Sequence, residues 1–530
     1  MHAMKIVFTL AVAALPAACS REAAPRDPVV GETTILGPFT GHDAPLHPDN
    51  LSPHRIAYYG TDLGFSYEHN GEIHFLFGDT AATEKGEPIE ASSKGLYDDS
   101  FGTIALADWP DPAKITPANL PLIRLGQNPG TTEMSAINVG RAMESFKTPV
   151  GGFSNGEDQY GLFYFSKPQG CRADADCDGA FRCDARLGYF GEPPDSDKGL
   201  TFACDEGAPG CNAETMAPAE GAPPSGFCTD PTSSAWADTP VGRMSGVALK
   251  LLVGVRSRED PRRYTGIREW LTSKFANVAA RAVTEGDSRR VYLWGRPGFV
   301  GVKARGRSLG LYFAYADMPT GADFGWKLHY YAGSGADGKP RYSDDERDAV
   351  AVDLDSSQEG VQPVEEHDIV DHTTVSWVEP LGKWVMLYGG GLINRPTPIL
   401  PNCGVLELFA RDECKDVVMG NGAIRLRTAD QPWGPWSPPQ DVLVGGDPDK
   451  SPPEGQFAPG GIMRHPDCTQ PGCADSTDWE GVDPREYGFL YGVNIIEEWT
   501  RPAGDGVDLI WNLSTWDPYR VVLVRTRINR

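Results

Sequence analysis

A chain of 530 residues is longer than one ordinary domain, and its formal charge of −25 argues against nucleic acid or an anionic membrane surface as partner, since either would repel it. Glycine (61) and proline (45) are abundant, and no heptad pattern is sustained. No internal run approaches the ~18–20 apolar residues needed to span a bilayer. The composition points to many short strands and turns in an extracytoplasmic protein.

In chain order, Lys5 precedes the apolar run IVFTLAVAAL and then Pro16-Ala17-Ala18-Cys19. A positive start, an apolar stretch and small residues before a cysteine resemble a bacterial lipoprotein signal, although proline stands where such signals carry leucine. The expectation is a signal peptide over 1–18, acylation at Cys19 and a polar tether over 19–35. The protein would then sit in the cell envelope, touching membrane only through its N-terminal lipid. The alternative is ordinary secretory cleavage.

The stretch 60–80, GTDLGFSYEHNGEIHFLFGDT, reads as a β-hairpin. Asn70-Gly71 suits a type I′ turn, in which both central residues take φ > 0. His69 then faces Glu72, and facing residues have numbers summing to 141. Asp62 and Asp79 meet that sum, so the register expects them directly opposite each other, with Cβ atoms roughly 4.5–5.5 Å apart. Facing carboxylates repel and raise one pKa. A fold keeps such a pair where a cation, a hydrogen-bond network or catalysis compensates; otherwise one caps a turn and the other faces solvent.

Similar runs of aromatic and β-branched residues follow at 160–166, 291–298, 309–317, 383–391, 487–494, 507–514 and 519–526. Most are apolar on both faces, as in strands covered on both sides. They group into about five units of four-strand size, so the fold expected over 36–530 is an all-β, five-bladed β-propeller. Residues 256–284 are the exception: Ile267, Trp270, Leu271, Phe275 and Val278 approximate helical spacing and suggest a packing helix.

Between the second and third units, residues 171–228 lack apolar periodicity and carry Cys171, Cys177, Cys183, Cys204, Cys211 and Cys228. Cys403 and Cys414, and Cys468 and Cys473, form two further clusters. In an exported chain this is a disulfide pattern, and 171–228 reads as a disulfide-rich insertion that a core alone could not hold. Pairing within each cluster is expected, with connectivity inside 171–228 open. Zinc does not suit a block without paired C-x-x-C spacing or histidine. Asp174, Asp176, Asp178 and Gly179 imitate the start of a calcium loop, but Ala185 stands where the bidentate glutamate belongs. A structural calcium ion is left open, and no other cofactor is indicated.

The hairpin motif, together with VSWVEPLGKWVMLYGGG (375–391) and IWNLSTWDPYRVVLVRT (510–526), is similar to the domain-of-unknown-function family numbered 4185. That resemblance spans most of 36–530 apart from the insertion. It implies a five-bladed propeller related to arabinanases and sialidase-like glycosidases, some members being endo-D-arabinanases. Two aspartates matching TDLG and GDT are implicated in catalysis there, and here they are Asp62 and Asp79. The implied chemistry is glycoside hydrolysis, with one protonated acid and one carboxylate that attacks or activates water. Their separation would distinguish retention from inversion, and which of the two is the acid stays open.

Propeller sites draw on the inner strands of several blades, which makes Arg296, His372 and Asn494 candidate substrate contacts. Trp511, Asn512 and Trp516 could add a sugar-stacking surface. His367, Asp371 and His372 have non-specific metal-ligand spacing within EEHDIVDH (365–372), which reads as a loop. Two functions remain at this stage: a monomeric, endo-acting furanosidase on a polysaccharide such as D-arabinan, or a non-catalytic propeller that grips glycan or protein.

Overall fold

The computed structural model describes residues 27–41, 44–81, 83–84, 87–88, 98–109, 111–140, 147–165, 170–171, 173–177, 181–184, 211–212, 217–218, 226–230, 249–286, 288–297, 302–304, 307–308, 310–321, 325–352, 354, 370–390, 417–419, 423–446, 454–458, 461–463, 490–515 and 519–530. Five antiparallel sheets form the five blades of a β-propeller. Blade 1 contains β2 (Leu63–His69), β3 (Glu72–Thr80), Asp98–Ala105 and Arg124–Leu125. Blade 2 contains Lys147–Ser154, Gln159–Phe165, Leu249–Arg256 and Tyr264–Thr272. Blade 3 runs from Asn277–Glu285 through Ser288–Arg296 and Tyr312–Asp317 to His329–Ser334 and Pro340–Ser343. Blade 4 contains Thr373–Val378, Lys383–Gly390, Ala423–Ala429 and Gln440–Val444.

Blade 5 joins the two ends of the chain. Leu490–Ile495, Gly506–Thr515 and Arg520–Asn529 are completed at the rim by β1 (Val29–Pro38), which pairs antiparallel with Arg520–Asn529. Residues 29–35, expected in the tether, therefore belong to the propeller. The backbone donors and acceptors of VVGETTI are spent on a ladder that covers the last blade's edge.

The first strand of every blade contacts the first strand of the next, and the ring closes between blades 5 and 1. Each of the five seams holds its own apolar cluster. Tyr67, Leu76, Phe163 and Leu252 fill the seam of blades 1 and 2. Val150, Leu251, Val278 and Leu293 fill that of blades 2 and 3, and Trp294, Phe313, Val375 and Met386 that of blades 3 and 4. Val385, Leu426, Val493 and Leu509 join blades 4 and 5; Phe75, Phe77, Ile510 and Leu523 join blades 5 and 1. This explains why the strands are apolar on both faces: each blade is sandwiched between two others.

The helix expected within 256–284 is not formed. Tyr264–Thr272 and Asn277–Glu285 are strands on either side of a short turn, in different blades. Tyr264–Thr272 is the outer strand of its sheet, with mixed exposure. Adding the apolar residues of the next blade's inner strand to it gives a spacing that imitates a helix.

The insertion holds a small three-stranded sheet cross-linked by Cys171–Cys183 and Cys177–Cys228, with Cα separations of 5.7 and 5.5 Å. Both lie in the range a disulfide permits. Asp174 Oδ1 accepts from the Cys183 amide (2.9 Å) and Asp176 Oδ2 from the Ala173 amide (2.9 Å), so both carboxylates brace a local turn. Cys19, Cys204, Cys403, Cys414, Cys468, Cys473, Asp178, His367 and Trp516 lie outside the described residues, and no side-chain description covers Cys211.

Within the ring, Arg281 of blade 3 links the inner strands of three other blades. Its guanidinium donates to Val375 O (2.9 Å), Thr374 Oγ1 (2.9 Å), Ile495 O (3.2 Å) and Ser66 O (3.4 Å), and it pairs with Glu497 at 3.1 Å. Arg281→Met strands these acceptors, and we expect a loss of about 2–4 kcal/mol. The urea-unfolding midpoint measures it; an unchanged midpoint contradicts the role.

Candidate active site

The hairpin turn forms as its sequence requires, with Asn70 at φ 53° and Gly71 at φ 82°, and His69 opposite Glu72. The register holds at 141 only as far as Phe65–Leu76. Leu63 then pairs with Phe77, leaving Gly64 as an extra residue in β2. Asp62 therefore stands across from Gly78, whose amide donates to the Asp62 carbonyl at 3.2 Å. The expectation that Asp62 and Asp79 are directly opposed is corrected by one residue. The pair still shares the open end of the hairpin, and Gly60–Ala81 bridges just beyond it.

The bulge aims Asp62. Leu63 has φ +64° and Gly64 φ +82°, a left-handed step that is strained for leucine. Blade 5 holds it: the Leu63 amide donates to Ser514 Oγ (2.6 Å), and Asn512 Nδ2 donates to the Leu63 carbonyl (2.8 Å). Across the hairpin, Gly78 carries no side chain because the Asp62 carboxylate lies against it. A Cβ there would fall 2.3 Å from Asp62 Oδ1.

Asp62 is 6% exposed. Its Oδ2 accepts from the Tyr491 hydroxyl at 2.8 Å, while Oδ1 is buried with no hydrogen bond among the described residues. Burial first, and the nearby Asp79 charge second, push its pKa well above the ordinary carboxylate value; Tyr491 and Tyr519 oppose the shift. Tyr519 donates to the Asp79 carbonyl, which ties blade 5 to both aspartates. Asp79 is half-buried and stands across the ladder from Asp99, whose buried carboxylate pairs with Lys147 of blade 2 at 3.3 Å.

Blades 3 and 4 continue this polar ring. Arg296 donates to Asp371 at 2.9 Å, and both are buried. Burial pulls the Arg296 pKa down while Asp371 holds it up. His372 Nδ1 lies 3.5 Å from Asp371, and its ring centroid is 6.0 Å from that of Tyr491. Burial lowers the His372 pKa to about 4, against the pull of Asp371, so the imidazole is neutral at neutral pH. Arg296, Asp371, His372, Tyr491, Asp62 and Asp79 thus follow one another across blades 3, 4, 5 and 1, where the inner strands begin.

Three expected substrate contacts are instead structural. Trp511 is fully buried, and its Nε1 donates to Thr526 Oγ1 (3.0 Å), so no ring face is open to a sugar. Asn494 Nδ2 donates to Ser66 Oγ (2.9 Å) and to Asn512 Oδ1 (3.1 Å), and both asparagines are buried at the seam of blades 5 and 1. Polar residues of a blade's first two strands clamp neighbouring blades as readily as they face the channel. Sequence reasoning missed Tyr491, Tyr519 and the Asp99–Lys147 pair. Tyr491 and Tyr519 lie in strand runs and read as packing aromatics; the YDD at 97–99 was the available signal for Asp99.

Among the described residues, the one group placed to share a metal ion is Cys171, Cys177 and Cys228, and all three are in disulfides.

No protein-family model matches the chain, and no curated protein matches it in sequence. Solved structures resemble it in fold. An α-L-arabinofuranosidase from Podospora anserina is 12% identical, covering 93% of this chain and 95% of its own, with TM-score 0.31. An exo-1,5-α-L-arabinanase from a bovine ruminal metagenomic library is 7% identical, over 90% and 94%, with TM-score 0.32. An N-acetylgalactosamine deacetylase from F. plautii is 10% identical, over 93% and 94%, with TM-score 0.36. Function is therefore argued from the site itself.

The Asp62 environment has a consequence for stability. Its folded pKa lies above its unfolded value, so folding takes up a proton between the two. The resulting cost is absent below the unfolded carboxylate value, near 3.9, and grows as pH rises toward the folded value. Asp62→Asn should melt above the wild type at neutral pH, with the gap closing below about pH 4. Calorimetry across that range checks it; a variant that melts lower at every pH contradicts it.

Proposed function

We propose that this chain is a glycoside hydrolase in which Asp62 is the general acid and Asp79 the carboxylate that attacks or activates water. The observation that carries the reading is the Asp62 carboxyl, buried beside a second carboxylate, with one oxygen held by Tyr491 and the other unbonded among the described residues. Burial and like charge favour the protonated form of such a group, and protonation of a glycosidic oxygen requires that form. Asp79, the less buried of the two residues, takes the second role.

Tyr491 and Tyr519 stabilise the Asp62 carboxylate once it has released its proton, and so favour the transfer. The resemblance of the hairpin and closing motifs supports a furanose polymer such as D-arabinan as substrate, cut internally. The N-terminal pattern supports a place in the cell envelope, with lipid on Cys19.

Purified protein given arabinogalactan and a panel of furanose polymers tests the reading. Wild type should release oligosaccharides, and Asp62→Asn and Asp79→Asn should each lower kcat/KM by about 10²–10⁴-fold without loss of fold. Saturable polymer binding without release over long incubation would make the protein a glycan-binding module and overturn the catalytic assignment.

A further inference from the structure

A cavity of about 810 Å³ lies between blades 1 and 2, away from the acid pair. Its wall includes His74, five residues before Asp79 along β3, which is about 17 Å of strand. The volume is that of a small-molecule site.

Arg256 is the key to its chemistry. The side chain is buried, with its guanidinium 4.4 Å from the centre of the Phe101 ring. Nε donates to Pro261 O (2.6 Å), and Nη1 to His74 Nδ1 (3.0 Å) and Gln159 Oε1 (3.2 Å). The Tyr67 hydroxyl also lies within hydrogen-bonding reach of the Arg256 side chain, and no described carboxylate forms an ion pair with Arg256. A buried guanidinium without a counter-ion is costly.

Three of the four acids lining the cavity are engaged by other arginines, and the fourth, Glu259, is exposed to solvent. Arg124 holds Glu72 at 3.1 Å and Asp49 at 3.7 Å, and Arg262 holds Asp260 at 2.8 Å. Arginine can only donate, so His74 Nδ1 must accept, which places the ring proton on Nε2. Burial and Arg256 lower the His74 pKa to about 3, so the ring is neutral. The His74 side chain is 7% exposed, and Nε2 is buried without a hydrogen bond; Glu72 Oε2 is 3.9 Å away, beyond bonding distance. Gln159 Oε1 accepts from both Arg256 and the Tyr67 hydroxyl (2.9 Å), which leaves its amide nitrogen as a donor.

This wall offers the Arg256 guanidinium and the Gln159 amide as donors, and the guanidinium has no ion-pair partner among the described residues. We propose that the cavity is a second binding site that takes the carboxylate of a small organic anion, with Arg256 as its counter-ion. The anion is either a sugar acid or a free organic acid.

Calorimetric titration of the full chain tests this with D-glucuronate, its methyl ester and succinate. Glucuronate, succinate or both should saturate below about 10 mM, a weak but specific affinity. The ester should bind at least about tenfold more weakly than glucuronate, having lost a charge-assisted contact. Glucuronate binding well above succinate identifies a sugar acid; the reverse, or equal binding, identifies a free organic acid. Arg256→Lys should weaken the preferred anion about tenfold or more. Gln159→Glu, which supplies Arg256 with a carboxylate of its own, should do the same if the lysine variant does not fold. No saturation by either acid, or equal binding of acid and ester, or no effect of the folded variants, overturns the proposal. Each readout is binding, so the result is independent of whether the acid pair hydrolyses glycans.

Discussion

The acid pair depends on one strained residue. Leu63 holds φ +64°, where leucine costs roughly 1–2 kcal/mol, and this step turns Asp62 in over Gly78 rather than along the hairpin register. The hairpin alone does not maintain it. Ser514 and Asn512 grip the Leu63 amide and carbonyl from blade 5, the last blade in the chain and the one that β1 completes. Closure of the ring is therefore what sets the direction of the Asp62 carboxyl. Asn512 acts on the site at one remove, as a positioning residue in contact with Asp62's neighbour.

The same closure buries most of the site. Each seam is filled by its own cluster, and Asp62, Arg296, Asp371, His372 and Asp99 at the strand ends are buried and rely on one another, while Asp79 is half-buried. Arg296 and Asp371 pair, His372 stays neutral beside Asp371, and Lys147 offsets Asp99. Asp62 has hydroxyl donors but no cation in this set, and it lies beside another carboxylate. Low dielectric makes that arrangement expensive for a charged group and cheap for a protonated one. The fold thus selects a protonation state rather than merely tolerating two acids.

Much of this was legible in the sequence because the signals were local or periodic. Asn70-Gly71 defined the turn, and the doubly apolar strands announced blades packed on both sides. Arg296, at the end of the second strand of blade 3, and His372, just before the inner strand of blade 4, were singled out for their closeness to strand ends, and Asp371 and Tyr491 link them to Asp62. The failures have physical causes. A bulge at Leu63-Gly64 shifts pairing by one residue, and Gly64 inside the strand was its one local signal, outweighed by the register counted from Asn70-Gly71. The helical spacing within 256–284 came from two strands in different blades, a boundary only tertiary structure reveals. Trp511, Asn494 and Asn512 looked like ligand contacts, yet they are buried because the first and second strands of a blade need polar clamps and large fillers at the seams. Residues 29–35 look like a linker, and become a strand because the last blade has an edge to cover.

The central claim is that burial and Asp79 together hold a proton on Asp62. The most direct measurement is a carboxyl-carbon NMR titration of aspartate-labelled protein, with Asp62→Asn identifying the resonance. The account predicts an Asp62 midpoint well above the ordinary carboxylate value, moving part of the way back in Asp79→Asn while burial keeps it raised. A midpoint at or below the ordinary value, or one that Asp79→Asn leaves in place, would contradict it.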